Sequence, residues 1–297
     1  MMHGHEKSDP NTVAEMSANN AASAATEPAE RKAGTEGNAS GQSTPRVQSR
    51  TGVSQALDRV RTAARERKTE RFTSLLHHIS VDLLRESFMA LKRDAAPGVD
   101  GVTWSDYAAD IERKLTDLHG RVHRGAYRAL PSRRVFIPKA DGQQRPLAVA
   151  ALEDKIVQRA AVTVLNSIYE EDFLGFSYGF RPGRGPHDAL DALATAIGSR
   201  RVNHILDADI KAFFDTVDQE WLVRFLEHRI GDKRMIRLIR KWLKVGVLED
   251  GIVTSSETGT GPHAEGHVFD MTIGDLAAAR QRLSPLRVRS VGGAMAG

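Results

Sequence analysis

Two aspartates, Asp207 and Asp209, stand two residues apart at the end of a short apolar run that begins at His204. We predict a strand over residues 204–206, and alternating side chains would then place both carboxylates on one face. Two carboxylates at that distance repel each other in a dry site unless a cation or water lies between them. Their hard oxygen atoms suit Mg²⁺. A strand end with two solvated acids is the alternative interpretation.

Two residues that follow this pair, Asp215 and Phe214, each allow two interpretations. Asp215 is expected to cap the next helix rather than to bind metal, because Asp218 and Glu220 come directly after it and acids favour a helix start. Phe214 is either a core side chain or an aromatic plate beneath the sugar of an incoming nucleotide, where it would admit or exclude a 2′-hydroxyl.

A second candidate site is a predicted hairpin over residues 137–147, with a turn at 139–142. Lys139 stands on one side of the turn and Arg145 on the other. An ammonium and a forked guanidinium on facing strands can together bind a triphosphate. An ordinary exposed hairpin is the alternative.

Basic residues are concentrated in two parts of the chain. Residues 121–147 carry seven arginines and lysines against the single acid Asp141, and residues 224–244 repeat the bias. This pattern indicates a polyanionic partner, although a solvated basic face would look the same. The loop at 177–187 mixes aromatics, glycines and arginines in a way that suits a nucleic-acid backbone or simply a rigid loop. The candidate nucleic-acid-binding residues are Arg124, Arg128, Arg133, Arg134, Arg181 and Arg184.

Composition narrows the class of protein. The 297 residues are 40% hydrophobic and include no cysteine, which excludes disulfides, thiolate zinc sites and cysteine nucleophiles. We expect a cytoplasmic protein, because the cysteine count suits a reducing compartment and no apolar run reaches the length of a membrane span.

The hydrophobic pattern predicts an α+β protein rich in helices. We divide the chain into a disordered low-complexity tail (1–52), a helical extension (53–95), a main domain (96–260) and a second tail (261–297). The helical extension is expected to hold a helix through residues 72–79 and another that Ser80 caps. Further helices are predicted at 106–118, 152–169 and 187–197, with two more between 220 and 245 that are broken near Gly231. The hairpin strands are placed at 133–138 and 145–149.

Four motifs in this order resemble those of group II intron-encoded reverse transcriptases, also called maturases. They are Ala96–Gly101, Ile137–Leu147, Phe176–Arg184 and Asp209–Asp215, with the helices upstream similar to the N-terminal extension of that family. The resemblance covers residues 55–260 and implies the fingers and part of the palm of a right-hand polymerase.

The same resemblance implies roles for individual residues. Asp209 would bind metal together with the backbone carbonyl of Ile210, and Phe214 would act as the sugar gate. Lys139 and Arg145 would contact the dNTP. The family uses two Mg²⁺ ions to join a DNA primer to a dNTP on an RNA template, and its members also bind intron RNA.

The chain departs from the family pattern after Thr260. Gly261-Pro262-His263 stands where the family has Pro-Gln-Gly-Gly. No Asp-Asp dipeptide occurs, and all four tyrosines lie at or before Tyr178, so the Tyr-x-Asp-Asp turn with the second carboxylate pair is missing. We therefore expect a truncated or frameshifted enzyme that is inactive by itself. The alternative is a non-catalytic fragment that binds intron RNA and assists splicing.

Overall fold

The computed structural model describes residues 45–138, 142, 144–179, 181–200, 202, 204, 205, 216–255, 258 and 259, with the backbone alone for 45–51 and 145. Within these ranges the architecture is α+β and rich in helices, as the sequence predicted. The helices are α1 (Pro45–Glu66), α2 (Val81–Met89), α3 (Trp104–Ala108), α4 (Ile111–His123), α5 (Leu152–Asp172), α6 (Pro186–Ser199), α7 (Gln219–Arg229) and α8 (Lys233–Lys244). The strands are β1 (Ser132–Pro138), β2 (Gln144–Val149), β3 (Val247–Glu249) and β4 (Ile252–Thr254).

The four strands form one sheet in the order β2-β1-β3-β4. Strands β1 and β2 make the predicted antiparallel hairpin, in which Arg133 pairs with Val149 and Ile137 with Arg145. Strand β3 runs parallel to β1 on the side away from β2. Strand β4 is the edge strand and forms a short antiparallel hairpin with β3. The sheet therefore joins the predicted hairpin to the segment that follows α8.

Helix α5 forms the centre of the core. Its apolar side chains recur every three or four residues, and Ile156, Ala160, Val164 and Ile168 are fully buried. It packs against α1 and α2. Each methylene that leaves water on such a face contributes about 0.8 kcal/mol, so this stripe stabilises the packing of α5 in the core.

The loop at residues 96–101 fixes the approach of the hairpin to α5. A Cβ on Gly98 would lie 2.5 Å from the Cα of Ala151, so only glycine fits at that position. Gly101 has a φ of +67° and closes the turn by donating its N–H to the carbonyl of Gly98. The predicted turn is thus confirmed. Glycine is needed at position 98 because of the close contact with Ala151, and at position 101 because of the positive φ.

Ser80 caps α2 as predicted, because its Oγ accepts a hydrogen bond from the N–H of Leu83. The helices predicted at 152–169 and 187–197 and the break near Gly231 are also present, as α5, α6 and the junction of α7 with α8.

Four predictions of local structure need correction. Helix α1 begins at Pro45, inside the segment assigned to a disordered tail. Residues 72–79 do not form an α-helix, since only Leu76–His78 make a 3₁₀ turn and Phe72 bridges to Ile230. The helix predicted at 106–118 is divided, with α3 ending at Ala108 and α4 starting at Ile111. Residues 204 and 205 are not in a strand.

The correction at residues 72–79 has a clear physical reason. The N–H groups of Leu75 and Leu76 donate to the carboxylate of Asp232, each at 2.8 Å, and the N–H of Phe72 donates to the carbonyl of Arg229 at 2.8 Å. These backbone donors are satisfied by distant partners, so the segment gains nothing by forming the helical hydrogen bonds that its apolar spacing suggested.

Candidate nucleic-acid interface

The residues expected to perform catalysis lie outside the described part of the chain. Lys139, Asp209, Ile210 and Phe214 are among them, and so are Asp207 and Asp215. Arg145 is placed by its backbone alone, in β2 opposite Ile137. Their assignment therefore stays a prediction. Asp218 caps α7, since its Oδ1 accepts from the N–H of Trp221 at 2.9 Å.

Two of the candidate arginines connect the hairpin to its neighbours. The guanidinium of Arg133 donates twice to the carbonyl of Pro97, at 3.2 and 2.8 Å. Arg134 reaches Glu249 on β3, with 3.4 Å between Nε and Oε2. Both side chains thus hold the strand β1 in place, the first against the loop at 96–101 and the second against the sheet.

Two others organise the loop between α5 and α6. The Arg181 side chain is only 5% exposed, and its Nη2 lies 2.9 Å from a carboxylate oxygen of Glu170. It also donates to the carbonyl of Ser177 at 2.9 Å and lies over the ring of Phe173. Arg184 donates to the carbonyl of Gly175 at 2.6 Å. This supports the rigid-loop interpretation, because these guanidinium groups are occupied by partners in the loop and at the end of α5.

Arg124 and Arg128 have a different environment. Both are exposed, and they lie after α4, next to a face of α8 that carries Arg234, Arg237 and Lys241. A cavity of about 150 Å³ opens between the two elements. We call it the basic pocket, and its lining consists of Leu76, Val122, His123, Arg124, Gly125, Tyr127, Arg234, Arg237, Leu238 and Lys241.

Lys241 is one of the cations that line the basic pocket. Its ammonium group donates to the carbonyl of Gly125 at 3.0 Å and to the carbonyl of Tyr127. Burial lowers the pKa of Lys241, and the positive charges of Arg237 and Arg128 lower it further. The pocket thus concentrates positive charge that an anion would offset.

A buried hydrogen-bond network holds Tyr127, which lines this pocket. The hydroxyl of Tyr127 donates to Oδ1 of Asp154 and accepts a hydrogen bond from the indole of Trp242 at 3.1 Å. The second oxygen of Asp154 accepts from the N–H of Leu130 at 2.9 Å. The pocket is therefore built on a rigid base of satisfied polar groups.

Burial raises the pKa of Asp154 to about 6, although the hydrogen bonds from Tyr127 and Leu130 act in the opposite direction. The folded state holds the proton more tightly than the unfolded chain does. The stability contribution of this group is therefore complete below about pH 4 and is lost as the pH rises towards 6.

We predict that Asp154→Asn removes this dependence. We compare the free energy of unfolding of the wild type with that of the variant. The difference, wild type minus variant, should be about 2–3 kcal/mol smaller at pH 7 than at pH 4. Each pKa unit corresponds to about 1.4 kcal/mol. Urea titrations at both pH values measure the difference. A difference that is constant with pH, or that grows, would contradict the assigned direction.

The cations of α8 were not among the residues selected from the sequence as a site. Their helical spacing was visible, because positions 234, 237 and 241 recur at three and four residues and therefore share a face. What the sequence did not show is that this face meets the end of α4, which lies more than a hundred positions earlier in the chain.

Two kinds of feature are absent from the described residues. No group of three or more metal-ligating side chains is arranged there to hold an ion. None of the helices in those ranges combines the length and the apolar character that a bilayer span requires.

Comparison with known proteins identifies the family. The sequence profile described as "Reverse transcriptase (RNA-dependent DNA polymerase)" matches residues 137–274, which include the hairpin and Asp209. Protein YkfC of Escherichia coli is 38% identical over 166 residues, or 55% of this chain and 44% of that protein. The group II intron-encoded protein LtrA of Lactococcus lactis is 31% identical over 206 residues, or 69% of this chain and 34% of LtrA.

A chain of a partial Cas6-RT-Cas1–Cas2 complex matches with a TM-score of 0.43 and 20% identity, over 69% of this chain and 34% of that one. The chain thus spans between about a third and less than half of the length of the curated relatives it matches. The order of its motifs, the match to the polymerase profile and the similarity to LtrA agree, and together they support a group II intron reverse transcriptase and maturase fragment.

Proposed function

We propose that this chain is the RNA-binding and nucleotide-binding part of an RNA-directed DNA polymerase, and that its 297 residues alone bind RNA without extending a primer. One observation carries the proposal. The region that matches the polymerase family contains Asp209, whereas no Asp-Asp dipeptide occurs anywhere in the sequence. A two-metal site needs carboxylates from more than one strand, and the second set is missing.

The carboxylates of Asp207 and Asp209 are hard oxygen donors and fit Mg²⁺. When bound, Mg²⁺ would neutralise charge on the attacking and leaving oxygens of the transferred nucleotide. We assign to Lys139 and Arg145 the binding of the triphosphate of a dNTP at the tip of the hairpin. Phe214 is assigned the contact with its sugar. The template is an RNA, the primer a DNA strand.

A chimaeric protein tests the catalytic assignment. Residues 261–297 would be replaced by the corresponding segment of LtrA, which should supply the missing carboxylates. We expect primer extension on an RNA template from the chimaera and none from the natural 297 residues. In the chimaera, Asp209→Ala should reduce the extension rate by at least about 100-fold, because a metal ion supplies several kcal/mol of transition-state stabilisation.

The matched control is Asp218→Ala in the same chimaera. This aspartate caps α7 and is expected to leave the extension rate within a few-fold of the parent. Equal extension by the Asp209→Ala chimaera and its parent would refute the metal assignment. Extension by the natural 297 residues would refute the proposal that they do not polymerise.

RNA binding without catalysis is the second candidate function, and the cations around the basic pocket favour it. Under this alternative the chain would assist intron RNA in folding or splicing. The two candidates differ in one outcome, since only the polymerase assignment requires the chimaera to gain extension activity.

A further inference from the structure

We propose that the basic pocket binds a backbone phosphate of RNA, with Arg124, Arg237 and Lys241 as its contacts. The inference rests on the proposed function, because it assigns the RNA contact to particular residues. The sequence-based expectation already included Arg124 and Arg128, but it also counted the arginines of the hairpin and of the loop before α6, and it did not include Arg237 or Lys241.

The basic residues fall into two groups by their ion pairs and hydrogen bonds. Arg133, Arg134, Arg181 and Arg184 are each occupied by a carbonyl or a carboxylate of the protein. Within the described residues, by contrast, no carboxylate lies within ion-pair distance of Arg124, Arg128, Arg237 or Lys241. Lys241 donates to two carbonyls, which do not neutralise its charge. These four cations therefore carry charge that no carboxylate of the described residues offsets.

The pocket is lined by cations from two elements. Arg237 and Lys241 are one helical turn apart on α8 and project to the same side. Nη1 of Arg237 is 4.0 Å from the position that a Cβ on Gly125 would occupy, so the guanidinium extends over the turn that follows α4. Arg124 also lines the pocket, and its guanidinium lies against Gly120 of α4. Guanidinium groups that line one pocket can donate charge-assisted hydrogen bonds to the oxygens of a phosphate.

Gathering these charges in one pocket costs free energy. Burial destabilises the ammonium of Lys241 most, and the neighbouring Arg237 and Arg128 destabilise it further. A bound phosphate would relieve the repulsion and would gain charge-assisted hydrogen bonds. A surface that served only solubility would instead intersperse both signs of charge.

The closing experiment measures the affinity of the 297-residue chain for a group II intron RNA across a series of salt concentrations. The wild type is compared with Arg237→Gln and with Arg124→Gln/Arg237→Gln. We expect the double variant to bind more weakly by about tenfold near 100 mM salt, and the slope of log K against log salt to become shallower by about one contact. Thermal unfolding midpoints check that each variant folds.

Arg240→Gln is the matched control. Arg240 is on the same helix but outside the pocket, and its Nη2 lies 3.6 Å from Glu227. Its loss should leave both affinity and slope nearly unchanged. Equal effects of the control and the pocket variants would overturn the proposal, because they would show only a loss of net charge.

Inorganic phosphate separates the two sources of the anion. If phosphate raises the unfolding midpoint of the wild type alone, while RNA affinity is equal in wild type and double variant, the pocket binds free phosphate and the RNA assignment is wrong. If the wild type does not bind RNA at all, the proposed function itself fails. If RNA binds but the pocket variants bind it as well as wild type, only the present inference fails.

Discussion

Replacing Arg229 by methionine is expected to lower the free energy of unfolding by about 3–5 kcal/mol, the cost of removing one partner of a buried ion pair. The Arg229 side chain is 5% exposed, and its Nε lies 2.7 Å from Oδ2 of Asp172. It also donates to the carbonyls of Glu70 at 2.7 Å and Arg67 at 3.0 Å. One guanidinium thus connects the end of α7 with the ends of α5 and α1.

Methionine preserves the length of the apolar stem but leaves Asp172 and the two carbonyls without this donor. Equilibrium urea unfolding measures the loss. The control is Arg240→Met, since Arg240 forms an exposed pair with Glu227 and such pairs contribute about 0–1 kcal/mol. Similar losses for the two variants would show that the buried network does not contribute as described.

Replacing Asp232 by alanine is expected to cost about 3 kcal/mol or more, because several buried N–H groups lose their acceptor together. Oδ1 of Asp232 accepts from the N–H of Arg234 at 2.9 Å and of Met235 at 3.3 Å, which caps α8. Oδ2 accepts from the N–H groups of Leu75 and Leu76. The same carboxylate therefore begins a helix and fixes a distant segment against it.

The pH dependence of this effect has a defined sign. Burial acts to raise the pKa of Asp232, but its backbone hydrogen bonds from Leu76, Leu75, Arg234 and Met235 outweigh burial and hold the pKa below its ordinary value. The stabilisation is present above pH 4 and is lost as the pH falls further. The loss caused by Asp232→Ala should therefore diminish in acid.

Asp218→Ala is the control for this prediction. Asp218 caps α7 through a single exposed N–H, that of Trp221, and caps of this type contribute about 1 kcal/mol. Urea unfolding of the two alanine variants tests this. Equal losses of unfolding free energy would show that the hydrogen bonds from Leu75 and Leu76 to Asp232 do not stabilise the fold.

Asp232 also shows why part of the fold escaped prediction from the sequence. The apolar spacing of Phe72, Leu75, Leu76 and Ile79 is correct for a buried helix face, and all except the partly buried Phe72 are in the core. Burial was thus predictable. The backbone conformation was not, because it depends on a carboxylate more than 150 positions away.

Elements governed by local chemistry were predicted well. The hydroxyl of Ser80 and the helix-breaking Gly231 act within a few residues of the structure they determine. The arginines illustrate the opposite case. Composition showed that residues 121–147 are basic, but only the tertiary contacts separate Arg133, bound to Pro97, from Arg124 in the basic pocket.

The candidate catalytic residues Asp209 and Phe214 were selected from sequence motifs, in order and spacing with the hairpin and the loop at 176–184. The match to the polymerase profile covers residues 137–274, which contain all of these motifs. Sequence patterns of this kind indicate a family, whereas the roles of single residues stay predictions.

The most direct test of the account measures RNA binding and primer extension by the same preparation of the 297-residue chain in Mg²⁺. We predict that it binds group II intron RNA with an affinity that falls steeply with salt, as phosphate contacts require, and that it adds no nucleotide to an annealed DNA primer. An affinity that does not change with salt, or an extended primer, would contradict the account.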